Sequence, residues 1–335
     1  MGVWTGLVSA PSTHPDSEVS SQEVRMTAAA PVEVETAARE LNPRRFKVAP
    51  YLLIAPAIVM LVVALGYPLG WQLYTSLHHY GLAQQFGRPA EFVGIENFAT
   101  LFGSSETWTV VIRSLIFCLV NAGLTLIIGL GAALLMKAVH TVVRLIIQGA
   151  MLLAWATPVT AAVTIWIWLF DWHHGVVNWV LAHFWPSMAH YNWLGSQFGF
   201  YAVATLIVVW MSVPFVALSI YAGLTQVPDE VMEAAQIDGA TAWQRLTRIT
   251  LPLIRPVLMI VALLQVIWDL RVFTQTRMLQ DYQDPLNVDL LGTYIYRVGI
   301  GRSDFSMASA FSIFVLLLTV ALSWFYVRQL IKEDN

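Results

Sequence analysis

The sequence predicts an all-α membrane protein with six transmembrane helices and, between the fourth and fifth of them, a cytoplasmic loop of two short helices. Of its 335 residues, 57% are hydrophobic and only 12% are charged, whereas soluble domains devote about 25% of their residues to charge. Several apolar stretches reach the length of about 20 residues that crosses a hydrocarbon core of about 30 Å. The third observation is a polar stretch between two of them, residues 233–256, which reads EAAQIDGATAWQRLTRITLPLIRP.

Length and flanking residues define the six predicted spans. They cover about residues 51–71, 109–136, 143–170, 200–222, 256–278 and 307–327. The fifth is the poorest of the six because it contains Asp269, Arg271 and, near its end, Arg277. Four prolines are expected to be tolerated within spans, because neighbouring helices can satisfy the carbonyl groups that proline frees. They are Pro56, Pro68, Pro158 and Pro214.

Two residue types in the second span bear on packing. Gly129 and Ala133 are four residues apart, a small-xxx-small pair that permits close approach of another helix. Cys118 is the only cysteine of the chain, so no internal disulfide is possible, and we interpret it as a buried structural thiol.

Residues 1–42 differ in composition from the rest of the chain, because they are rich in Pro, Ser, Ala and Glu. They lack the basic start, apolar run and cleavage site of a signal peptide. We therefore predict a disordered cytoplasmic tail over residues 1–42, with Met26 as an alternative start, and one transmembrane domain over residues 43–335.

The distribution of Lys and Arg predicts that both termini are cytoplasmic. With the N-terminus inside, the basic residues between and beyond the spans fall mainly on the cytoplasmic side, including Lys137, Arg144, Arg245, Arg248 and Arg255. The outer loop at residues 171–197 contains no Lys or Arg and carries four tryptophans, as expected at a membrane interface. The polar stretch is then cytoplasmic.

Composition and motifs exclude several functions. The net charge is −3 without a basic block, so nucleic acid is not an expected partner. The chain contains no G-x-x-x-x-G-K-[ST] phosphate-binding loop, so any ATP and Mg²⁺ must be bound by another chain. His173 and His174 lack a third ligand at usable spacing, and we predict no metal site.

The polar stretch contains the start and stop signals of two helices. Asp238-Gly239 is expected to end the first helix, with Gly239 at positive φ. Thr241 and Gln244 form a predicted capping box for the second helix, which Leu251-Pro252 is expected to end before the fifth span. Two capped amphipathic helices of about 15 Å each cannot cross a bilayer, so they form either a docking surface or a plain interfacial loop.

The same residues resemble the EAA loop of binding-protein-dependent ABC transporter permeases. The pattern is EAA, then DGA three residues on, then I-x-LP. Its conspicuous positions are Glu233, Ala234, Ala235, Asp238, Gly239, Ala240, Leu251 and Pro252. Tyr67-Pro68, the FVGIENF run at residues 92–98 and Pro214-Phe215 are similar to the carbohydrate-uptake branch, which includes the maltose permeases. The resemblance covers about residues 45–330.

This resemblance implies a mechanism and a set of partners. Such a permease lies in the prokaryotic cell membrane and pairs with a second permease subunit. A dimer of ATPase subunits binds the EAA loop, and an extracytoplasmic sugar-binding protein delivers the substrate. The end of the chain lacks the QR-type ending of many second permeases, so it resembles the first, maltose-permease-like partner. Many relatives carry an LT-x-GGP run where this chain reads MLQDYQDP at residues 278–285, and we expect its outer loop to differ from theirs.

The fifth span contains the best candidates for contact with a substrate. Only residues 256–268 are free of charge, which is too short to cross the membrane, so Asp269 and Arg271 are expected to face the bundle interior or a wet cavity. Gln265 and Trp268 lie on nearby faces and offer an amide and an indole to a sugar. Asn121 in the second span is a weaker candidate. The alternative is an Asp269–Arg271 ion pair with no role in binding.

Two other classes of function remain as alternatives. A secondary transporter or channel that works alone would be expected to show repeated halves and an ion relay at the midplane, neither of which the sequence displays. A membrane-embedded enzyme would need a nucleophile–base pair or a metal site, and neither is recognisable. The permease subunit of an ATP-driven sugar importer is the leading interpretation.

Overall fold

The computed structural model describes residues 49–281 and 287–333, which are predominantly helical. Within these residues, five helices are long and apolar enough to cross a membrane, and a sharply bent helix pair makes a sixth. The five cover Tyr51–Ser76, Ser105–Ala138, Gln197–Leu224, Arg255–Gln280 and Phe305–Arg328. The six predicted spans are therefore confirmed when the bent pair counts as one. The predicted tail, residues 1–42, lies outside the described residues, as does the second half of MLQDYQDP, residues 282–285.

The first span consists of α1 (Ala49–Leu61), a π-helical turn (Val62–Gly66) and α2 (Tyr67–Ser76). A short antiparallel pair follows, β1 (His78–His79) with β2 (Glu91–Phe92), and α3 (Leu82–Gln85) lies between the two strands. The helix α4 (Glu96–Gly103) leads into α5 (Ser105–Ala138), the second span.

The third span is divided into α6 (Thr141–Trp155) and α7 (Val159–Leu169), and the short helix α8 (Val176–Ala182) follows it. The fourth span is α9 (Gln197–Leu224). Two short helices come next, α10 (Asp229–Ile237) and α11 (Ala242–Arg245), and α11 continues through a π-helical turn (Leu246–Thr250) into α12 (Leu251–Leu253).

The fifth span combines α13 (Arg255–Leu270) and α14 (Thr274–Gln280). After it come α15 (Leu291–Tyr296), a π-helical turn (Arg297–Gly301) and α16 (Phe305–Glu333), which contains the sixth span. The fifth span, predicted as the poorest, is thus long and apolar enough despite its charged residues.

The third span differs from its prediction because α6 and α7 meet at an angle of 97°. The break lies at Thr157 and Pro158, and Pro158 precedes α7 with extended backbone (ψ 134°). A proline disfavours helical backbone in the residue before it and donates no hydrogen bond. Pro214 remains inside α9 without a break. A proline within a span therefore does not by itself determine whether the helix bends.

The helices α5 and α9 form the centre of the bundle. Gly129 of α5 lies so close to α9 that a Cβ atom on it would be 2.6 Å from Val216 Cγ1, and Ala133 is fully buried. The predicted close approach at this small-xxx-small pair is confirmed. Near it, Met136, Val216, Ile220, Ile254 and Val261 belong to one buried apolar cluster that joins α5, α9 and α13.

The end of the bundle that carries β1 and β2 is held by backbone and side-chain contacts. The Asn97 side chain donates hydrogen bonds to the carbonyl oxygens of Ser76 (2.8 Å) and His78 (3.1 Å), which lie at and just after the end of α2. Ser306 N–H donates to the carbonyl of Tyr80. We call this the strand end, and we call the opposite end, which carries α10 to α12, the two-helix end.

Candidate functional site

The loop between α9 and α13 contains two helices that are capped by their own residues. At the end of α10, Gly239 adopts φ +79°. Gly239 N–H donates to Gln236 O, and Ala240 N–H donates to Ala235 O at 2.9 Å. This pair of bonds is a Schellman motif, which terminates a helix by placing glycine in the left-handed region. The predicted positive φ of Gly239 is confirmed.

The second helix begins at the predicted capping box. Gln244 N–H donates to Thr241 Oγ1 at 3.3 Å, and Thr241 N–H donates to Gln244 Oε1 at 2.8 Å. The prediction that Leu251-Pro252 ends this helix is wrong, because helical structure continues to Leu253 and breaks at Ile254. The π-helical turn directly before Leu251 has a different hydrogen-bond register, and proline is tolerated where it costs no regular helical hydrogen bond.

One side of this loop, residues 228–254, is fastened to the bundle. Ala235, Thr250 and Ile254 are buried, and the Thr250 hydroxyl contacts Met232 Sδ at 3.8 Å. Ile254 belongs to the apolar cluster between α5, α9 and α13, and Met232 packs against it. The loop therefore has a fixed position on the two-helix end of the bundle.

The other side of the loop is open. Ile237 and Trp243 have 87% and 71% of their surface exposed, and Glu233 is exposed one turn before Ile237 on α10. The eight predicted positions divide between the two sides. Glu233, Ala234, Asp238, Gly239 and Pro252 are exposed, Ala240 and Leu251 are half-buried, and Ala235 is buried. Exposed large apolar side chains around an acidic residue form a surface suited to a protein partner.

A buried polar pair lies in the fifth span. Gln265 Nε2 donates to Asp269 Oδ1 at 2.9 Å, and both side chains are buried. Gln265 Oε1 and Asp269 Oδ2 have no hydrogen-bond partner among the described residues. Buried polar atoms are normally satisfied, so these two oxygens indicate a place where a further donor is needed.

The second span faces the same region of the fifth. Cys118 Sγ contacts Val266 O at 3.5 Å, and Cys118 is buried as predicted. Asn121, one turn further along α5, donates to Phe117 O at 2.7 Å and keeps its Oδ1 without a partner in the described part of the chain. The Thr125 hydroxyl is buried and unpartnered in the same way, and the sequence analysis missed it.

Three of the five predicted substrate-path residues line one cavity of about 400 Å³: Trp268, Asp269 and Arg271. Trp155 and Thr157, at the bend between α6 and α7, line it as well, together with Met211 and Ser212 of α9. Gln265 and Asn121 do not line the cavity. The bend thus brings a third span to the site, and Pro158 was the signal for it in the sequence.

The alternative ion pair is not formed. Asp269 accepts its hydrogen bond from Gln265, and no ion pair joins it to Arg271. Arg271 is exposed and lines the cavity instead. The cavity therefore offers a guanidinium, an indole and the hydroxyl groups of Thr157 and Ser212 to whatever enters it, and the largely buried Asp269 is part of its wall.

The strand end contains an ion network that the sequence analysis missed. Arg297 binds Glu106 at 2.6 Å and also Asp289, and Gln280 donates to Asp289 Oδ1. Burial alone would lower the pKa of Arg297, but the hydrogen bonds and charges of Glu106 and Asp289 outweigh it and raise that pKa above its usual range. The network joins α5 to the segment after the fifth span. Among the described residues, no group of three or more side chains could hold a metal ion.

A bundle of membrane-spanning helices, a polar cavity between three spans and a capped loop with exposed apolar side chains are the features of a membrane permease component. The chain belongs to the family described as binding-protein-dependent transport system inner membrane component, whose profile matches residues 125–329.

Curated relatives cover nearly the whole length of the chain. It is 38% identical to the diacetylchitobiose uptake system permease protein DasB of Streptomyces coelicolor, over 86% of this chain and 88% of that protein. It is 30% identical to the sulfoquinovosyl glycerol transport system permease protein SmoG of Agrobacterium fabrum, over 84% and 90%. It is 29% identical to the trehalose/maltose transport system permease protein MalF of Thermococcus litoralis, over 83% and 92%.

Among solved structures, the chain resembles a bacterial alginate ABC transporter in complex with alginate pentasaccharide-bound periplasmic protein. The TM-score is 0.69 at 21% identity, with 87% of this chain and 96% of that chain covered. This likeness concerns the fold. It agrees with the predicted class of all-α membrane protein.

Proposed function

We propose that this chain is the permease subunit of an ATP-driven importer of small carbohydrates. It forms half of the translocation path with a second permease subunit. A separate ATPase dimer, which binds ATP and Mg²⁺, docks on the loop at residues 228–254, and an extracytoplasmic binding protein delivers the sugar at the strand end. Both termini are cytoplasmic, as the positions of Lys and Arg favour, and the chain itself catalyses no reaction.

The observation that carries this proposal is the direct connection between the loop and the cavity. α12 ends at Leu253, and α13 begins after a single turn residue, Ile254. α13 has 16 residues and is about 24 Å long, and its far end carries Asp269. Because a helix moves as a rigid element, a displacement of the loop at one end shifts the polar residues at the other.

The lining of the cavity favours a carbohydrate. Carboxylic acid, guanidinium and hydroxyl groups can exchange hydrogen bonds with the hydroxyls of a sugar, and the Trp268 indole offers an apolar face to a sugar ring. Phe215 packs against Trp268 with ring centroids 5.0 Å apart, which fixes the orientation of the indole. Two of the relatives are named for the uptake of diacetylchitobiose and for the transport of trehalose and maltose, and we propose a disaccharide or a short amino-sugar oligomer as substrate.

Reconstitution tests the proposal. Proteoliposomes that contain this chain, the second permease and the ATPase should import the sugar only with ATP inside and loaded binding protein outside. The sugar-loaded binding protein should also stimulate ATP hydrolysis. ATP hydrolysis by the chain alone would contradict the proposal, and sugar uptake by vesicles without any ATPase would support a stand-alone secondary transporter instead.

A further inference from the structure

A groove between α5 and α9 shares no lining residue with the polar cavity. Its volume is about 520 Å³, and its walls are largely apolar. The lining residues of α5 are Thr109, Ile112, Arg113, Ile116, Phe117 and Val120, and those of α9 are Tyr201 and Thr205. Ile112, Ile116 and Val120 are four residues apart, so they form one exposed strip along the helix.

Arg113 is the only charged residue in this lining, and no residue of the described part of the chain offers it a close opposite charge. Its guanidinium donates to Asn287 Oδ1 at 3.5 Å and to Asp289 O at 3.4 Å, and both acceptors are neutral and at the limit of hydrogen-bond distance. The Asp289 carboxylate is occupied by Arg297 and Gln280. Within residues 49–281 and 287–333, no carboxylate lies within ion-pair distance of Arg113.

In a bilayer in which α5 is centred, its length places Arg113 near the edge of the hydrocarbon core. α5 has 34 residues and is therefore about 51 Å long, whereas the hydrocarbon core is about 30 Å thick. A centred α5 extends about 10 Å beyond the core at each end, and Arg113 lies about 12 Å from its start. The guanidinium is thus at the edge of the hydrocarbon, and the strip from Ile112 to Val120 runs about 12 Å into it.

We propose that this groove binds one phospholipid of the outer leaflet. The phosphate pairs with Arg113, and one acyl chain lies along Ile116, Phe117 and Val120. Tyr201 of α9 lines the same groove beside Arg113. Charge complementarity favours a phospholipid over a helix of another subunit as the occupant. Such a helix would have to bring a carboxylate into the membrane to pair with Arg113.

Native mass spectrometry of the purified transporter complex with phosphatidylglycerol tests this site. Arg113→Gln should weaken retention of one phosphatidylglycerol about tenfold, because a charge-assisted bond to phosphate is lost. Arg88→Gln, the same change on an exposed residue of the predicted outer loop, should have no effect. Arg113→Lys should keep most of the binding.

A second pair of variants tests the acyl-chain part of the groove. Ile116→Trp should fill it and abolish retention of the same lipid. Ile127→Trp should leave binding unchanged, since Ile127 is on the same helix and 70% exposed, against 58% for Ile116, but does not line the groove. Size-exclusion chromatography shows whether the complex with Arg113→Gln assembles. If it does not, Ile116→Trp and Ile127→Trp still test the site.

Two probes separate the sources of the phosphate. Diacylglycerol, which lacks phosphate, and soluble glycerol phosphate, which lacks acyl chains, should each bind at least about tenfold more weakly than phosphatidylglycerol. Equal binding of glycerol phosphate would overturn the lipid assignment in favour of a soluble anion. Equal lipid retention by Arg113→Gln and the unmodified complex would overturn the site, as would a cross-link from position 116 to the second permease, which would make the groove a subunit contact.

Discussion

Gln265 donates a hydrogen bond to Asp269 at 2.9 Å, yet each of these buried side chains keeps one oxygen atom without a partner among the described residues. A pair with only a structural role would be expected to satisfy all its polar atoms. Asp269 also lines the cavity beside Trp268 and Arg271. The buried pair therefore adjoins the wall of the cavity through Asp269.

The first prediction concerns Asp269. Asp269→Asn keeps the size of the side chain but removes its capacity to carry charge, and it places an amide donor where two oxygens were available. We expect the apparent KM for sugar uptake to change about tenfold, with normal amounts of complex in the membrane. Asp281→Asn is the control, because Asp281 is exposed and pairs with Arg277 away from the cavity. Loss of the whole complex from the membrane would show a structural role instead.

The second prediction concerns the turn between the two helices of the loop. Gly239 has φ +79°, and a Cβ atom on it would meet no other atom within 4 Å. The cost of a substitution there comes from the left-handed backbone conformation and not from a steric clash with neighbouring residues. Gly239→Val should cost roughly 1–2 kcal/mol, displace α11 and reduce stimulated ATP hydrolysis of the complex. Gly239→Asn should retain most of the activity, because asparagine tolerates the left-handed region. Equal activity of the two variants would contradict the argument.

Features set by neighbouring residues could be predicted from the sequence. The Schellman turn at Gly239 and the capping box of Thr241 and Gln244 depend on contacts within five residues, so the order of residue types determines them. The same holds for the face shared by Gln265 and Asp269, which are four residues apart on one helix.

Features set by distant residues could not be predicted in this way. Four prolines in the spans were treated alike, but the chain bends sharply beside Pro158 and continues as a helix through Pro214. Arg297 and Glu106 are 191 positions apart in the chain, and no local pattern links them. The cavity itself combines residues from three spans, so its lining follows from packing and only in part from the pattern of the fifth span.

The third prediction compares two glycines of α5 for their effect on stability. A Cβ at Gly129 would be 2.6 Å from Val216 Cγ1, whereas a Cβ at Gly131 would meet nothing within 4 Å. Gly129→Ala should therefore push α5 and α9 apart and cost about 1–3 kcal/mol. Gly131→Ala should be neutral or stabilise the helix by up to about 1 kcal/mol. The midpoint of thermal unfolding of the detergent-solubilised protein measures both, and equal midpoints would refute the packing argument.

The last prediction concerns the surface that we assign to the ATPase. Glu233 is exposed on α10 and lies close in sequence to the exposed side chain of Ile237. A carboxylate at a protein contact meets a basic or donor group of the partner. Glu233→Lys would place like charges together there, a repulsion that costs several kcal/mol at close range.

The expected result is a loss of coupling rather than a loss of folding. Because Glu233 is exposed, Glu233→Lys should leave the thermal midpoint of the permease unchanged, but weaken its association with the ATPase subunits by at least about tenfold. Uptake and stimulated hydrolysis should fall together, whereas sugar binding by the free binding protein should be unaffected. Glu91→Lys is the matched control, since it makes the same charge change on an exposed residue of the strand end. A Glu233→Lys complex that retains its ATPase subunits and full uptake would place the docking contact elsewhere on the chain.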